Sequence, residues 1–109
     1  MKPRLIRCLA RCLLGCLAFA APAALAGDVT AGEEKAQVCI ACHGEGGNKP
    51  IANYPKLGGQ FEKYLIFTLN AYKDGSRPNA VMAAQTAGMS AEDIADLAAY
   101  FSAQRADLQ

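Results

Sequence analysis

The chain has 109 residues, with 11 lysines and arginines against 10 aspartates and glutamates, a net charge of +1. That balance argues against nucleic acid as a partner, which calls for a strongly basic surface. Five cysteines do not amount to a disulfide framework here, because Cys8, Cys12 and Cys16 crowd into the N-terminal segment and leave only Cys39 and Cys42 for the rest.

The first 26 residues read as an export leader. A basic stretch (Lys2, Arg4, Arg7, Arg11) runs into an apolar one from Cys12 to Ala21 and on to Ala24-Leu25-Ala26, the small-x-small form that signal peptidase cuts. A membrane anchor needs about 20 apolar residues, whereas this run starts only after Arg11 and meets Pro22. A lipoprotein cut at Leu13-Leu14-Gly15-Cys16 would have almost no apolar segment before it. Cleavage after Ala26 is expected, leaving one domain over residues 27–109 in the periplasm. With four basic residues lost and every acidic one kept, its 83 residues carry a net charge of −3. A domain close to about 70–80 residues, below which a side-chain core gives little stability, is expected to fill its interior with something more.

Along that domain a first helix is predicted from Val29 to Cys42, with Asp28 as its N-cap and Glu33 and Glu34 in its early turns, where the helix dipole favours them. Gly32 and Ala36, one turn apart, would let another helix approach closely. The segment from Gly44 to Gly59 is rich in Gly, Asn, Pro and Lys and lacks any period, so it reads as a long loop of the kind that is usually functional. A second helix is predicted from Gln60 to Lys73, with Phe61, Leu65, Thr68, Leu69 and Tyr72 on one face and Gly75 as its stop. Gly75 to Gly88 reads as irregular. The last helix is capped by Ser90, with Asp93 at the capping-box position and Ile94, Leu97, Ala98 and Phe101 as its buried stripe, and should end near Gln104. The expected fold is all-α, three helices joined by two substantial loops.

The chemistry sits at Cys39-Ile40-Ala41-Cys42-His43, the Cys-x-x-Cys-His signature of covalent haem attachment. Two cysteines three apart lie about one helical turn from each other, so both thiols can add to the two vinyl groups on one edge of a haem. His43 is then carried beneath the iron as an axial ligand. A structural zinc site would need four ligands, more than two cysteines and one histidine supply. A thioredoxin-like pair usually accompanies a βαβ pattern, and none is visible. Chance spacing is the bland alternative, set against export, the lack of other mature cysteines and an undersized core.

The sixth ligand is a choice between two thioethers. Met89 stands just before the Ser90 cap with Ile94 four positions into the helix, the arrangement of a hydrophobic staple, so it already has a packing role. Met82 lies between two helices, where its side chain can drape over the far face of the haem. Met82 is the expected ligand and Met89 the fallback.

Taken together, the chain resembles the class I cytochromes c, particularly the small bacterial c-553 and c-five types and one half of the di-haem c-four type. The resemblance rests on Gly32 and Ala36 before Cys39-Ile40-Ala41-Cys42-His43-Gly44, then Pro55-Lys56-Leu57-Gly58-Gly59-Gln60, Tyr64-Leu65, Gly75-Ser76-Arg77, Met82, and Met89-Ser90-Ala91-Glu92-Asp93-Ile94 leading into Leu97-Ala98-Ala99-Tyr100-Phe101. It implies an all-α cytochrome c fold in which the first and last helices cross closely, Gly32 meeting Leu97, Tyr100 or Phe101. It also implies that Met82 is the axial ligand; Met89 departs from the family's usual leucine. It further suggests that the Pro55 carbonyl accepts a hydrogen bond from the His43 ring, the alternative being a turn-forming proline. Arg77 stays open between pairing with a haem propionate and lying on the surface.

An iron held by imidazole and thioether has both axial positions filled, so outer-sphere transfer of single electrons is the expected activity, not catalysis. The expected protein is a monomeric periplasmic carrier of one covalent haem c, docking transiently on redox partners at the exposed haem edge, with no membrane insertion after leader cleavage. Two alternatives remain: a haem subunit held on an exported dehydrogenase, and a haem sensor or enzyme with an open iron site.

Overall fold

The computed structural model describes residues 25–105. The expected leader, residues 1–26, lies outside them apart from Leu25 and Ala26. Asp28 opens the helical part, its carboxylate accepting the Ala31 backbone N–H at 2.8 Å. Helix α1 (Val29–Lys35) follows, then α2 (Gln37–His43), a 3-10 turn at Glu45–Gly47, α3 (Glu62–Asp74), α4 (Ala80–Thr86) and α5 (Ala91–Ala103). The described residues contain no strand. None of their helices is long and apolar enough to cross a membrane.

The principal packing contact is α1 against α5, followed by α3 against α5 and α3 against α4. Gly32 makes the first of these possible: a Cβ there would sit 2.1 Å from the Asp96 carbonyl oxygen and 2.7 Å from Tyr100 Cβ. Ala36, one turn on, is fully buried. Both small residues occupy the close approach expected of them, and the facing residues are Asp96 and Tyr100.

The same crossing is tied by charge. Buried Asp96 accepts the Asp28 backbone N–H at 2.7 Å and the Lys35 ammonium at 2.6 Å. Lys35 also pairs with Asp93 at 2.9 Å. Asp93 in turn closes the capping box of α5, with Ser90 N–H donating to its carboxylate at 2.9 Å and its own N–H donating to Ser90 Oγ at 3.0 Å. The Asp28 N–H and then Lys35 hold the Asp96 carboxyl below the usual carboxylate range. For Asp93 the Ser90 backbone N–H and Lys35 bring it to about 2. Lys35 is pushed up by Asp96 first and Asp93 second.

Several boundaries differ from the expected ones. The single first helix is two, broken at Ala36, whose carbonyl accepts from both Cys39 N–H (2.8 Å) and Ile40 N–H (3.0 Å), a tightened turn at the join. In α3 the buried residues are Leu65, Thr68 and Ala71, while Phe61 is 81% exposed. Phe61 stands at the non-helical cap, φ −60° and ψ 128°, so the period of the helix does not extend to it. Gly75 ends α3 in the left-handed region at φ 82°, as expected of a C-terminal stop. The stretch read as irregular contains α4. Asn79 caps it by accepting the Met82 N–H at 2.9 Å, and its seven residues are too few to show a period. Finally, α5 is buried continuously from Ile94 to Tyr100 and Phe101, not along one stripe, because α1 and α3 pack on different sides of it.

Candidate functional site

Helix α2 carries Cys39, Cys42 and His43, and Gly44 stops it at φ 80°, where a Cβ would meet the Lys49 carbonyl oxygen at 2.1 Å. The chain therefore doubles back beneath the motif, and Ile51 N–H donates to the Cys42 carbonyl at 2.9 Å. That return brings Pro55 to His43: Nδ1 lies 2.7 Å from the Pro55 carbonyl oxygen. A carbonyl can only accept, so Nδ1 carries the proton and Nε2 keeps its lone pair free. Tyr54 packs edge-on against the His43 ring with centroids 6.0 Å apart, and His43 is buried.

Beside this ring is a cavity of about 640 Å³. Its wall takes Cys39, Cys42 and His43 from α2, Leu65 from α3, Met82 from α4 and Phe101 from α5. Such a volume falls in the range of cofactor pockets, roughly 300–1,000 Å³. Both thiols are free. Burial, and secondarily the neighbouring Cys42, pushes the Cys39 thiol up. Thiol–disulfide catalysts need the opposite shift, since the thiolate is the reacting form. Among the described residues no three of His, Cys, Asp and Glu gather as a metal-holding group, so the zinc reading lacks its ligands.

Both methionines reach the cavity. Met89 also packs against the core cluster that includes Ala36, Leu65 and Leu97, which Met82 does not. The Met89 carbonyl accepts from the Lys73 ammonium as well. Met82 sits in the first turns of α4, where its carbonyl accepts from the fully buried Thr86 hydroxyl at 2.9 Å.

Sequence reasoning had not singled out Tyr54 against His43, Asn79 beneath Met82, or Asp96 at the helix crossing. Asn79 carries a recognisable signal, a capping residue right after Pro78. The other two carry none, since a lone Tyr beside Pro55 and an acid inside a buried stripe look ordinary. A free pair of thiols one turn apart, an imidazole with Nε2 available and a thioether on one cavity wall suit a covalently attached haem.

Over residues 29–104 the sequence matches the cytochrome c family. The chain belongs to that family. This cytochrome is 49% identical over 80 residues to cytochrome c4 of Pseudomonas aeruginosa, an alignment covering 73% of this chain and 40% of that protein. It is 48% identical over 82 residues to cytochrome c-554(548) of Halomonas halodenitrificans, covering 72% of this chain and 99% of that one. Its fold superposes on the crystal structure of reduced recombinant cytochrome c4 from Pseudomonas stutzeri with a TM-score of 0.71 at 43% identity, over 75% of this chain and 48% of the other. The chain thus spans less than half the length of these cytochromes c4 and nearly the whole of cytochrome c-554(548). Its cofactor is haem c.

Proposed function

We propose that this cytochrome is an exported carrier of single electrons, acting in the periplasm between redox proteins. Cys39 and Cys42 would bind the haem covalently, and His43 and Met82 would hold its iron. The observation that carries the reading is the convergence of two free thiols, a His43 ring with Nε2 available and the Met82 thioether on one apolar-walled cavity.

When bound, the haem supplies an iron that cycles between ferric and ferrous states by one electron. The chain's own residues set the conditions. Pro55 fixes the imidazole plane and its tautomer through the 2.7 Å contact and raises its basicity as a ligand. Tyr54 covers one edge of that ring. The soft Met82 sulfur would favour the ferrous state relative to a second nitrogen. Held by His43 and Met82, the iron would have no place for a substrate, so the protein would relay electrons instead of catalysing a reaction. Leu65, Leu97 and Phe101, all buried, exclude water from the cavity wall and keep it similar in both states.

The decisive measurement is an absorption spectrum of the mature protein in both redox states, beside a Met82→Ala variant. The expected result is a haem that resists acid extraction, with a sulfur-to-iron band lost only in Met82→Ala. Loss of the band in Met89→Ala instead would move the ligand to Met89, and a colourless folded protein would end the reading. Gel filtration of native extract separates the free carrier, which elutes as a haem-bearing monomer, from a subunit fixed to a dehydrogenase.

A further inference from the structure

Helix α4 has seven residues, too few to persist without tertiary contacts, since isolated helices below about 12–15 residues are marginal in water. It belongs to an arm, residues 75–89, that leaves α3 at the Gly75 turn and rejoins the core at Met89. Whatever fixes the two ends of this arm also limits how far Met82 can move.

Both ends are clipped to the last turn of α3. At the outgoing end Ser76 N–H donates to the Asp74 carboxylate at 2.8 Å, and Arg77 N–H donates to the Ala71 carbonyl at 3.0 Å. At the returning end the Lys73 ammonium donates to the Met89 carbonyl. A segment whose ends meet in this way has the form of a compact Ω-loop, about 6–16 residues long. Inside it, Asn79 Oδ1 accepts the Met82 N–H and the buried Thr86 hydroxyl donates to the Met82 carbonyl, each at 2.9 Å. Met82 therefore moves with α4 as one piece.

The returning end is the more open one. Ala87 and Gly88 are exposed, and a Cβ at Gly88 would meet nothing within 4 Å. Met89 N–H donates to the Thr86 carbonyl at 3.1 Å, a bond internal to the arm that ties it to nothing else. Met89 is held from the core side by packing against the cluster of Ala36, Leu65 and Leu97, and from the solvent side by Lys73. The helix dipole favours a lysine in the last turn of α3 whether or not it has a partner. This one is fixed on a carbonyl sixteen positions away, by a charge-assisted bond stronger than a neutral one.

We propose that Lys73 is a positioning residue: its bond to the Met89 carbonyl clips the arm shut, holds Met82 in place and keeps small ligands from the sixth coordination position. The proposal rests on the haem reading above and adds the residue that limits opening of the Met82 bond.

The test uses mature ferric holoprotein with imidazole as the incoming ligand. At saturating imidazole, displacement of Met82 runs at the rate at which the arm opens, and loss of the sulfur-to-iron band follows it. Lys73→Met removes the donor and keeps the length of the side chain, and should speed displacement about fivefold, as expected for a charge-assisted bond at an exposed position. Asp96→Asn is the control, because it loosens the α1–α5 crossing and leaves the arm intact; its displacement rate should match the parent's. An unchanged rate in Lys73→Met overturns the proposal. Equal acceleration in Asp96→Asn also overturns it, since general loss of stability would then suffice. Lys73→Ala, which suits an exposed helical position, stands in with the same outcomes if Lys73→Met is not recovered folded. A colourless parent protein, or a sulfur-to-iron band that survives Met82→Ala, would instead sink the haem reading or its ligand assignment, so these failures are distinguishable.

Discussion

The two ends of the domain are built on opposite terms. Where α1 crosses α5 the polypeptide is complete in itself: Gly32 admits the neighbouring backbone, Ala36 is fully buried, and the carboxylate of Asp96 has a partner for each oxygen. On the other side, α2, the 48–61 loop, α3 and α4, with Leu97 and Phe101 of α5, surround about 640 Å³ of space. The contrast teaches that a chain of this size concentrates its own packing at one crossing and leaves the rest of its interior to a covalent cofactor. The first region specifies the fold, and the second specifies what the fold holds.

The sharpest way to break that contrast is to withhold the cofactor. A Cys39→Ser, Cys42→Ser double variant should lose essentially all covalent haem, measured after acid extraction. Its amide exchange should rise first in α2, α4 and the loop, while α1 and α5 retain the most protection. Uniform loss of protection would show that the crossing depends on the cofactor too.

The next largest effect should come from the crossing itself. Gly32→Val puts a branched side chain where even a Cβ would lie 2.1 Å from the Asp96 carbonyl, and overpacking of this kind typically costs about 1–3 kcal/mol and more when backbone must move. A denaturant midpoint unchanged from the parent protein would mean that α1 does not approach α5 this closely.

Acid should weaken the same place through its carboxylates. Asp93, at about 2, and Asp96, also lowered, both titrate below an unfolded carboxyl near pH 3.9. Their contribution is therefore complete above about pH 4 and is lost as pH falls through the folded values. Lys35 has the opposite sign, contributing fully below its unfolded value near about 10.4 and losing its contribution as pH rises beyond it. Asp96→Asn should lower the thermal midpoint at pH 7 and flatten the acid limb of the stability profile. An acid limb as steep as that of the parent would exclude Asp96 as its source.

The smallest expected change is Ser90→Ala at the start of α5. It removes one N-cap hydrogen bond, worth about 1 kcal/mol, or about 4–8 °C in a domain of this size. Met89, immediately before the cap, should leave the potential unaffected when replaced by leucine, which separates capping from ligation.

Much of this was legible in the residues because the signals are local. Cys39, Cys42 and His43 are contiguous, and Ser90 with Asp93 form a cap that four residues suffice to specify; the structure adds the 3.0 Å geometry. Gly32 and Ala36 announced a close approach by their size alone. What escaped depended on distant partners or on short segments. Helix α4 has seven residues, and the break at Ala36 leaves the helical pattern of residue types uninterrupted. Asp96 is polar in a stripe that reads as apolar, and only Asp28 and Lys35, 68 and 61 positions earlier, account for it. Phe61 matched the face of α3 by spacing but stands outside the helix, so it stays exposed.

Those separations also mean that the cavity wall is assembled from distant parts of the chain. The crossing joins residues near opposite ends of the described chain, and Leu97 and Phe101 of α5 form part of the cavity wall. Until α5 has been delivered and docked, that wall is missing while the two thiols and the imidazole are already present upstream. The prosthetic group can therefore enter sideways into an unfinished domain, and the last helix shuts the compartment behind it.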